Sequence, residues 1–240
     1  MKNLLIFGLF IVALILVQFA QAQTADEVIN KFTEAMGGKE KIAAVNSVYM
    51  EGVTERNGNE ITSKTVKVQG KLFRNETNFG MGSMTTLVTA DKGWRTNFRN
   101  GGAFEAMNEE GLKGMQSQMD CVSPLVDFVV KGHKAENLGK DTVDNIVCHK
   151  IKLTTKGGKE ILYWIDASTY LLHQSSQKGG GFGGRGADAE LVVVYKDYKA
   201  VEGVMFPFTT DLKGPMGGSP MVYEKIEVNK PVDEKMYKPE

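Results

Sequence analysis

The chain has 240 residues, 42% of them hydrophobic, with 29 basic and 29 acidic side chains. A chain of this length can form one domain with a substantial core. The balanced charge gives no electrostatic reason to expect nucleic acid or an anionic membrane surface as a partner.

The first 22 residues have the pattern of a cleaved secretory signal peptide. Lys2 gives a positive start, residues 4–17 form an apolar run, and Ala20 and Ala22 are the small residues that a signal peptidase reads. The run is short for a membrane span. We therefore predict cleavage after Ala22 and a single exported domain at residues 23–240.

Two helices are predicted at the start of that domain. Thr24 and Glu27 have the spacing of a capping box, in which each side chain satisfies a free backbone N–H. One apolar helical face follows, formed by Val28, Phe32, Ala35 and Met36. The two glycines at residues 37–38 end this helix, and a second short helix is predicted over residues 39–45.

Most of the remaining chain predicts short β-strands. Segments rich in Val, Ile, Thr, Tyr and Phe alternate with turn signals such as the Asn-Gly pair at residues 57–58. No alternation of strands and helices suggests a parallel sheet. An antiparallel meander of about ten strands must curl or close, because strand twist accumulates across it. The first helix and an insertion near the middle are available to cover its concave face.

That insertion, residues 103–131, is rich in methionine and phenylalanine. Apolar side chains recur at roughly helical spacing, at Phe104, Met107, Leu112, Met115 and Met119. One interpretation is a helix that completes the core, as apolar helical stripes usually do. The other is a lid over the sheet, because methionine adapts to variable apolar partners. Ser-Pro at residues 123–124 ends the stripe, and an apolar run that includes Phe128 follows.

The two cysteines, Cys121 and Cys148, both lie within the predicted domain. An even number of cysteines in an exported chain permits one disulfide, which here would pin the insertion to the sheet. Two buried free thiols are the alternative.

No motif predicts catalysis, a metal site or a cofactor. The glycine-rich loop at residues 179–186 contains G-x-G-x-x-G, but it joins two strand-like segments and does not open a helix, which predicts a hairpin loop. The three histidines, His133, His149 and His173, lack metal-ligand spacing. No G-x-S-x-G elbow is present. We therefore expect a protein that is not an enzyme.

The order of elements resembles the outer-membrane lipoprotein-sorting (LolA-like) superfamily of envelope proteins. The local matches are Asp-Lys-Gly-Trp at residues 91–94, Tyr-Trp-Ile-Asp at 163–166, Tyr-Leu-Leu-His at 170–173 and Val-Met-Phe-Pro at 204–207. The resemblance implies an α+β fold, with a strongly curved antiparallel sheet that forms an incomplete β-barrel and helices that cover its concave face.

The resemblance also implies a function and a set of binding residues. The expected function is a monomeric periplasmic carrier, which binds acyl chains of a lipoprotein or lipid and ferries them towards the outer membrane between docking proteins. An envelope interaction or sensory module and a hydrolase that uses the same cavity are alternatives. The predicted cavity and lid residues are Trp94, Phe98, Phe104, Met107, Met115, Met119, Phe128, Trp164 and Phe206.

Overall fold

The computed structural model of the protein describes residues 23–96, 101–178, 190–213 and 219–239. The predicted signal peptide, Phe98 and the glycine-rich loop at residues 179–186 lie outside these ranges. The helices are α1 (Ala25–Ala35), α2 (Lys39–Ala43) and α3 (Glu109–Met115). Two 3-10 turns are also present, at Gln116–Met119 and Glu234–Tyr237. No helix in the described ranges has the length and apolar character needed to cross a membrane.

The strands are β1 (Ser47–Arg56), β2 (Asn59–Val68), β3 (Leu72–Asn78), β4 (Ser83–Thr89), β5 (Gly93–Thr96), β6 (Phe104–Ala106), β7 (Lys134–Val143), β8 (Ile146–Thr154), β9 (Glu160–Asp166), β10 (Leu172–Lys178), β11 (Glu190–Val201), β12 (Val204–Lys213) and β13 (Met221–Val228).

These 13 strands form one open antiparallel sheet, in the order β6-β5-β4-β3-β2-β1-β13-β12-β11-β10-β9-β8-β7. The chain steps outward from β1 to β6 and later inward from β7 to β13, which pairs with β1. Strands β6 and β7 are therefore the two edges, and residues 107–133 connect one edge to the other. We call these residues the crossover. The predicted antiparallel meander is confirmed, with more strands than expected.

Helix α1 begins and ends as predicted. The Glu27 N–H donates to Thr24 Oγ1 (3.2 Å), and the Thr24 N–H donates to Glu27 Oε2 (3.0 Å), which completes the capping box. After the helix, Gly37 has φ 122°, and a Cβ there would lie 2.4 Å from the carbonyl oxygen of Gly203. Only glycine permits this approach, which sets α1 against the turn between β11 and β12.

The sheet carries apolar clusters on both faces. On the face that we call inner, helices, strands and crossover pack together in one core, formed by Val28, Ile29, Phe32, Met36, Ile42, Val45, Val48, Cys121, Leu125, Val126, Ile151, Leu153, Ile161, Tyr163, Ile165, Leu172, Val204, Phe206, Ile226 and Val228. On the outer face a smaller cluster of Val66, Leu72 and Leu87 is packed by side chains that include Val232 and Tyr237 from the C-terminal segment.

The predicted continuous helix from Phe104 to Met119 is wrong. Gly101 and Gly102 have φ 73° and 81°, and they turn the chain back so that Phe104 pairs with Thr96 as part of β6. Helix α3 begins only after Asn108, whose side chain accepts from the Gly111 N–H at 2.8 Å. The apolar residues that have this spacing therefore belong to three different elements, a strand, a short helix and a 3-10 turn.

The crossover touches both arms of the sheet. Gln116 Nε2 donates to the Ala90 carbonyl (3.3 Å) between β4 and β5, and Lys159 Nζ, next to β9, donates to the Gly114 carbonyl (3.3 Å). None of the α3 side chains is buried, whereas Val28, Ile29, Phe32 and Thr33 of α1 are. The crossover therefore lies across the sheet with little apolar burial along its helix.

We expect α3 to exchange its amide hydrogens more than about tenfold faster than α1, because a helix without buried side chains opens at low free-energy cost. Hydrogen exchange with peptide-level mass spectrometry measures both helices in one sample. Equal protection of α1 and α3 would show instead that α3 is a firmly packed core element.

Candidate functional site

A cavity of about 430 Å³ lies on the inner face of the sheet. Eight neighbouring strands, β3-β2-β1-β13-β12-β11-β10-β9, contribute side chains to its wall. Neighbouring strands are about 4.8 Å apart, so eight of them in a flat sheet would span roughly 34 Å. A cavity of this size can touch all eight only because the sheet curves around it. Helix α1 and residues 117, 118 and 120–124 of the crossover complete the wall.

Apolar side chains make up about half of the wall. They are Phe32, Met36, Met50, Phe73, Val122, Pro124, Ile161, Leu172, Leu191, Val193, Phe206 and Pro207, and the polar side chains between them include Thr65, Asn75, Gln118, Ser175, Gln177 and Thr210. The volume falls within the range of about 300–1,000 Å³ that is usual for small-molecule pockets. Such a wall offers a large apolar surface together with hydrogen-bonding groups.

Four tyrosines, Tyr163, Tyr195, Tyr198 and Tyr223, add hydroxyl groups to the wall. The Tyr195 hydroxyl lies 2.9 Å from Ser175 Oγ, and the Tyr198 hydroxyl donates to the Leu172 carbonyl at 2.9 Å. Burial raises the pKa of all four phenols, so they stay neutral at physiological pH. They act as hydrogen-bonding groups and carry no charge.

A charged cluster lies where the crossover meets β2. The buried carboxylate of Asp120 accepts from Lys131 Nζ (2.5 Å) and from Gln69 Nε2 (3.0 Å). Lys67 Nζ donates to the main-chain carbonyl of Asp120 at 3.1 Å. The Cys121 N–H in turn donates to Gln69 Oε1 at 2.8 Å. These bonds fix the crossover to the end of β2 and satisfy its backbone.

Solved structures with the same architecture identify the fold. A DUF1329 family protein from Desulfovibrio piger superposes with a TM-score of 0.58 at 13% identity, over 89% of this chain and 97% of that chain. A LolA superfamily protein from Nitrosomonas europaea gives 0.57 at 12% identity, over 90% and 99%. A putative outer membrane lipoprotein-sorting protein domain from Vibrio parahaemolyticus gives 0.53 at 13% identity, over 89% and 97%. The chain has the LolA-like fold. No protein-family model and no curated protein matches the sequence.

Of the predicted binding residues, Phe206 lies in the wall of this cavity. Trp94 and Phe104 pack instead on the outer face, against the cluster formed by Val66, Leu72 and Leu87. Trp164 also faces outward, where its Nε1 donates to Asp141 Oδ2 at 3.0 Å. Side chains alternate along a strand, so the neighbour Tyr163 takes the inward position.

The predicted lid residues divide in a similar way. Met107 contacts Gly93 near the β6 edge, Met119 is buried beside the charged cluster, and Phe128 packs against the inner core. Met115 is half-buried at the end of α3. None of these four side chains belongs to the described cavity wall. Residues 117, 118 and 120–124, in the 3-10 turn and the loop after it, line the cavity in place of the predicted helix.

The sequence interpretation missed Lys67, Asp120 and the tyrosines. Lys67 shares its face of β2 with Thr65, so strand alternation places both inward once one of them is known to face the cavity. No sequence signal identifies Asp120, because its burial depends on where the crossover lies. Within the described ranges, no group of three or more His, Cys, Asp and Glu side chains could hold a metal ion.

The two cysteines are free thiols in the structure. Cys121 lies in the inner core, whereas Cys148 alternates with the inward-facing Ile151 and so faces outward across the sheet. The structure therefore contains the two buried free thiols and not the disulfide. Burial raises the pKa of each thiol to about 11, which keeps both of them protonated.

We expect two alkylations when the protein is unfolded in iodoacetamide without prior reduction, because no bond joins the cysteines. Intact-mass measurement counts the adducts, and a reduced sample serves as the control. A chain that gains adducts only after reduction would contradict the free-thiol structure.

We also expect Asp120→Asn to lower the free energy of unfolding by about 2 kcal/mol or more, since it leaves buried lysine charge without its carboxylate. Urea denaturation measures the change. The matched control is Glu109→Gln at the exposed pair with Lys113, where the change should be negligible. Similar effects of the two variants would show that the buried cluster has no special structural role.

Proposed function

We propose that the protein is a periplasmic carrier, which binds acyl chains of a lipoprotein or lipid in the inner cavity and takes them towards the outer membrane. The observation that supports this proposal is the cavity itself, whose curved wall is built from eight strands and carries a large set of apolar side chains. Each buried methylene contributes roughly 0.8 kcal/mol, so one acyl chain supplies ample free energy for binding.

The proposed location rests on two observations of different kinds. The first 22 residues have the pattern of a cleaved signal peptide. One structure with the same fold, from Vibrio parahaemolyticus, is described as a putative outer membrane lipoprotein-sorting protein domain. A carrier between two membranes needs docking proteins at each, and these are its proposed protein partners. The proposal requires neither catalysis nor a cofactor.

In this proposal α1 and the crossover cover the concave face of the sheet. Helix α1 is the fixed part, because its side chains are buried in the inner core and Gly37 holds its end against Gly203. Cys121, Leu125 and Val126 hold the second half of the crossover in the same core. The part that moves is α3, because it buries no side chain and is held mainly by polar bonds at its ends. Displacing it would give an acyl chain access to the wall.

The test uses two neighbouring valines on β11. Val193 lines the cavity, whereas Val192 faces outward, and both are partly exposed. We expect Val193→Asp to weaken the binding of a fluorescent fatty acid at least tenfold, because a carboxylate in an apolar wall disfavours an acyl chain (a cost of about 1.4 kcal/mol or more). Val192→Asp should bind as the wild type does.

Fluorescence titration measures affinity, and native mass spectrometry of protein purified from its own envelope shows any ligand that it carries. Equal binding by the two valine variants would place the ligand elsewhere. If neither method detects an acyl ligand bound to the wild-type protein, the carrier proposal is wrong.

An envelope interaction or sensory module is the second candidate. The observation that favours it is an exposed apolar pair on the crossover, Val129 and Val130, which are 67% and 85% exposed. Such side chains commonly mark contact surfaces when they cluster. A protein that binds no lipid but forms a stoichiometric complex with one envelope protein, lost in Val129→Ser with Val130→Ser, would favour this function over the carrier.

A further inference from the structure

The charge on the cavity wall is asymmetric. Among the described residues that line it, Lys67 and Asp120 are the only Lys, Arg, His, Asp or Glu side chains. Asp120 is already paired, because Lys131 Nζ lies 2.5 Å from its Oδ1 and Gln69 donates to the same oxygen. When Lys67 and Lys131 are both protonated, two positive charges lie near one carboxylate, which leaves a net positive charge at this end of the cavity.

Lys67 is the ammonium group without a carboxylate of its own. No ion pair joins it to an acidic side chain within the described ranges. Its Nζ donates to the Asp120 carbonyl at 3.1 Å and lies 5.9 Å from the centroid of the Phe73 ring. A partly buried charge that lacks a counter-ion costs free energy. Burial accordingly lowers the pKa of Lys67, and the nearby Cys121 and Asp120 only partly offset this.

The surroundings of Lys67 can complete a head-group site. An ammonium has three N–H donors, and the Asp120 carbonyl uses one of them. Thr65, two residues earlier on the same face of β2, accepts from Asn75 Nδ2 at 2.9 Å, so its own O–H can donate to a ligand. Both donors therefore lie on the inner face of β2, in the wall of the cavity.

We propose that Lys67 anchors the anionic head of an acyl amphiphile, a carboxylate or a phosphate, whose chain lies along the apolar wall. The inference rests on the proposed function and narrows its ligand class. An acyl chain that is esterified or amide-linked to a lipoprotein offers no charge to Lys67. A free fatty acid or an alkyl phosphate provides the missing counter-ion together with the chain.

The experiment compares ligands that share one chain and differ in the head. Palmitate, hexadecyl phosphate and the neutral hexadecanol are titrated below their aggregation concentrations by displacement of a fluorescent acyl probe. We expect the wild-type protein to bind at least one of the two anionic ligands about tenfold or more tightly than hexadecanol, a difference of about 1.4 kcal/mol. Inorganic phosphate alone should not displace the probe, because it has no chain.

Variants of two lysines on β2 test the residue itself. Lys67→Met keeps the length of the side chain and removes its charge, and we expect it to lose the preference for the anionic ligand while it binds hexadecanol unchanged. Lys67→Arg should retain the preference. The matched control is Lys64→Met on the outer face of the same strand, where Lys64 is exposed and pairs with Glu51 at 3.5 Å. This control should keep both affinities.

The outcomes separate this inference from the proposed function. If neither the anionic ligands nor hexadecanol binds, the carrier proposal fails and this inference fails with it. If all of them bind equally well to the wild type, the carrier proposal stands and the role of Lys67 is refuted, a result that needs no variant. Equal loss of palmitate and hexadecanol in folded Lys67→Met would refute it too.

Discussion

The antiparallel pairing of β1 with β13 joins the two halves of the sheet, and it determines where the connection between those halves must go. Because β1 is central, the strands that follow it reach one edge at β6 and the chain resumes at the opposite edge at β7. Residues 107–133 therefore have to cross the whole sheet. A hairpin cannot make this connection, so the crossover becomes part of the cavity wall as a consequence of topology.

A crossover over an apolar wall must satisfy its own backbone, since buried N–H and C=O groups without partners are costly. A longer helix would have satisfied these groups with its own backbone hydrogen bonds. In this chain, side chains from the end of β2 satisfy them: Gln69 accepts from the Cys121 N–H, and Lys67 donates to the Asp120 carbonyl. The same segments place Lys67 and Asp120 on the cavity wall, so the structural solution and the charge at the site have one origin.

Local chemistry made part of this fold predictable. The capping box of Thr24 and Glu27, the Asn-Gly turn at residues 57–58 and the antiparallel hairpins depend on neighbours in sequence. The inward positions did not follow in the same way. Tyr163 and Trp164 are both aromatic and both buried, so periodicity alone cannot say which of them faces the cavity. Which of the two faces the cavity depends on the pairing of their strand with β8 and β10. The burial of Asp120 depends on the path of the crossover. Both are long-range contacts that no local pattern records.

The curved sheet and the residues on it contribute different things to recognition. Curvature lets eight strands enclose one volume, and apolar burial is non-directional, so the apolar part of the wall fixes neither the orientation nor the head of a ligand. Direction has to come from the polar positions on that wall. The four phenols are neutral, and Asp120 is engaged by Lys131. Among the described residues of the wall, Lys67 is therefore the charged side chain without a counter-ion, and in the proposed carrier it would distinguish one end of the cavity from the other.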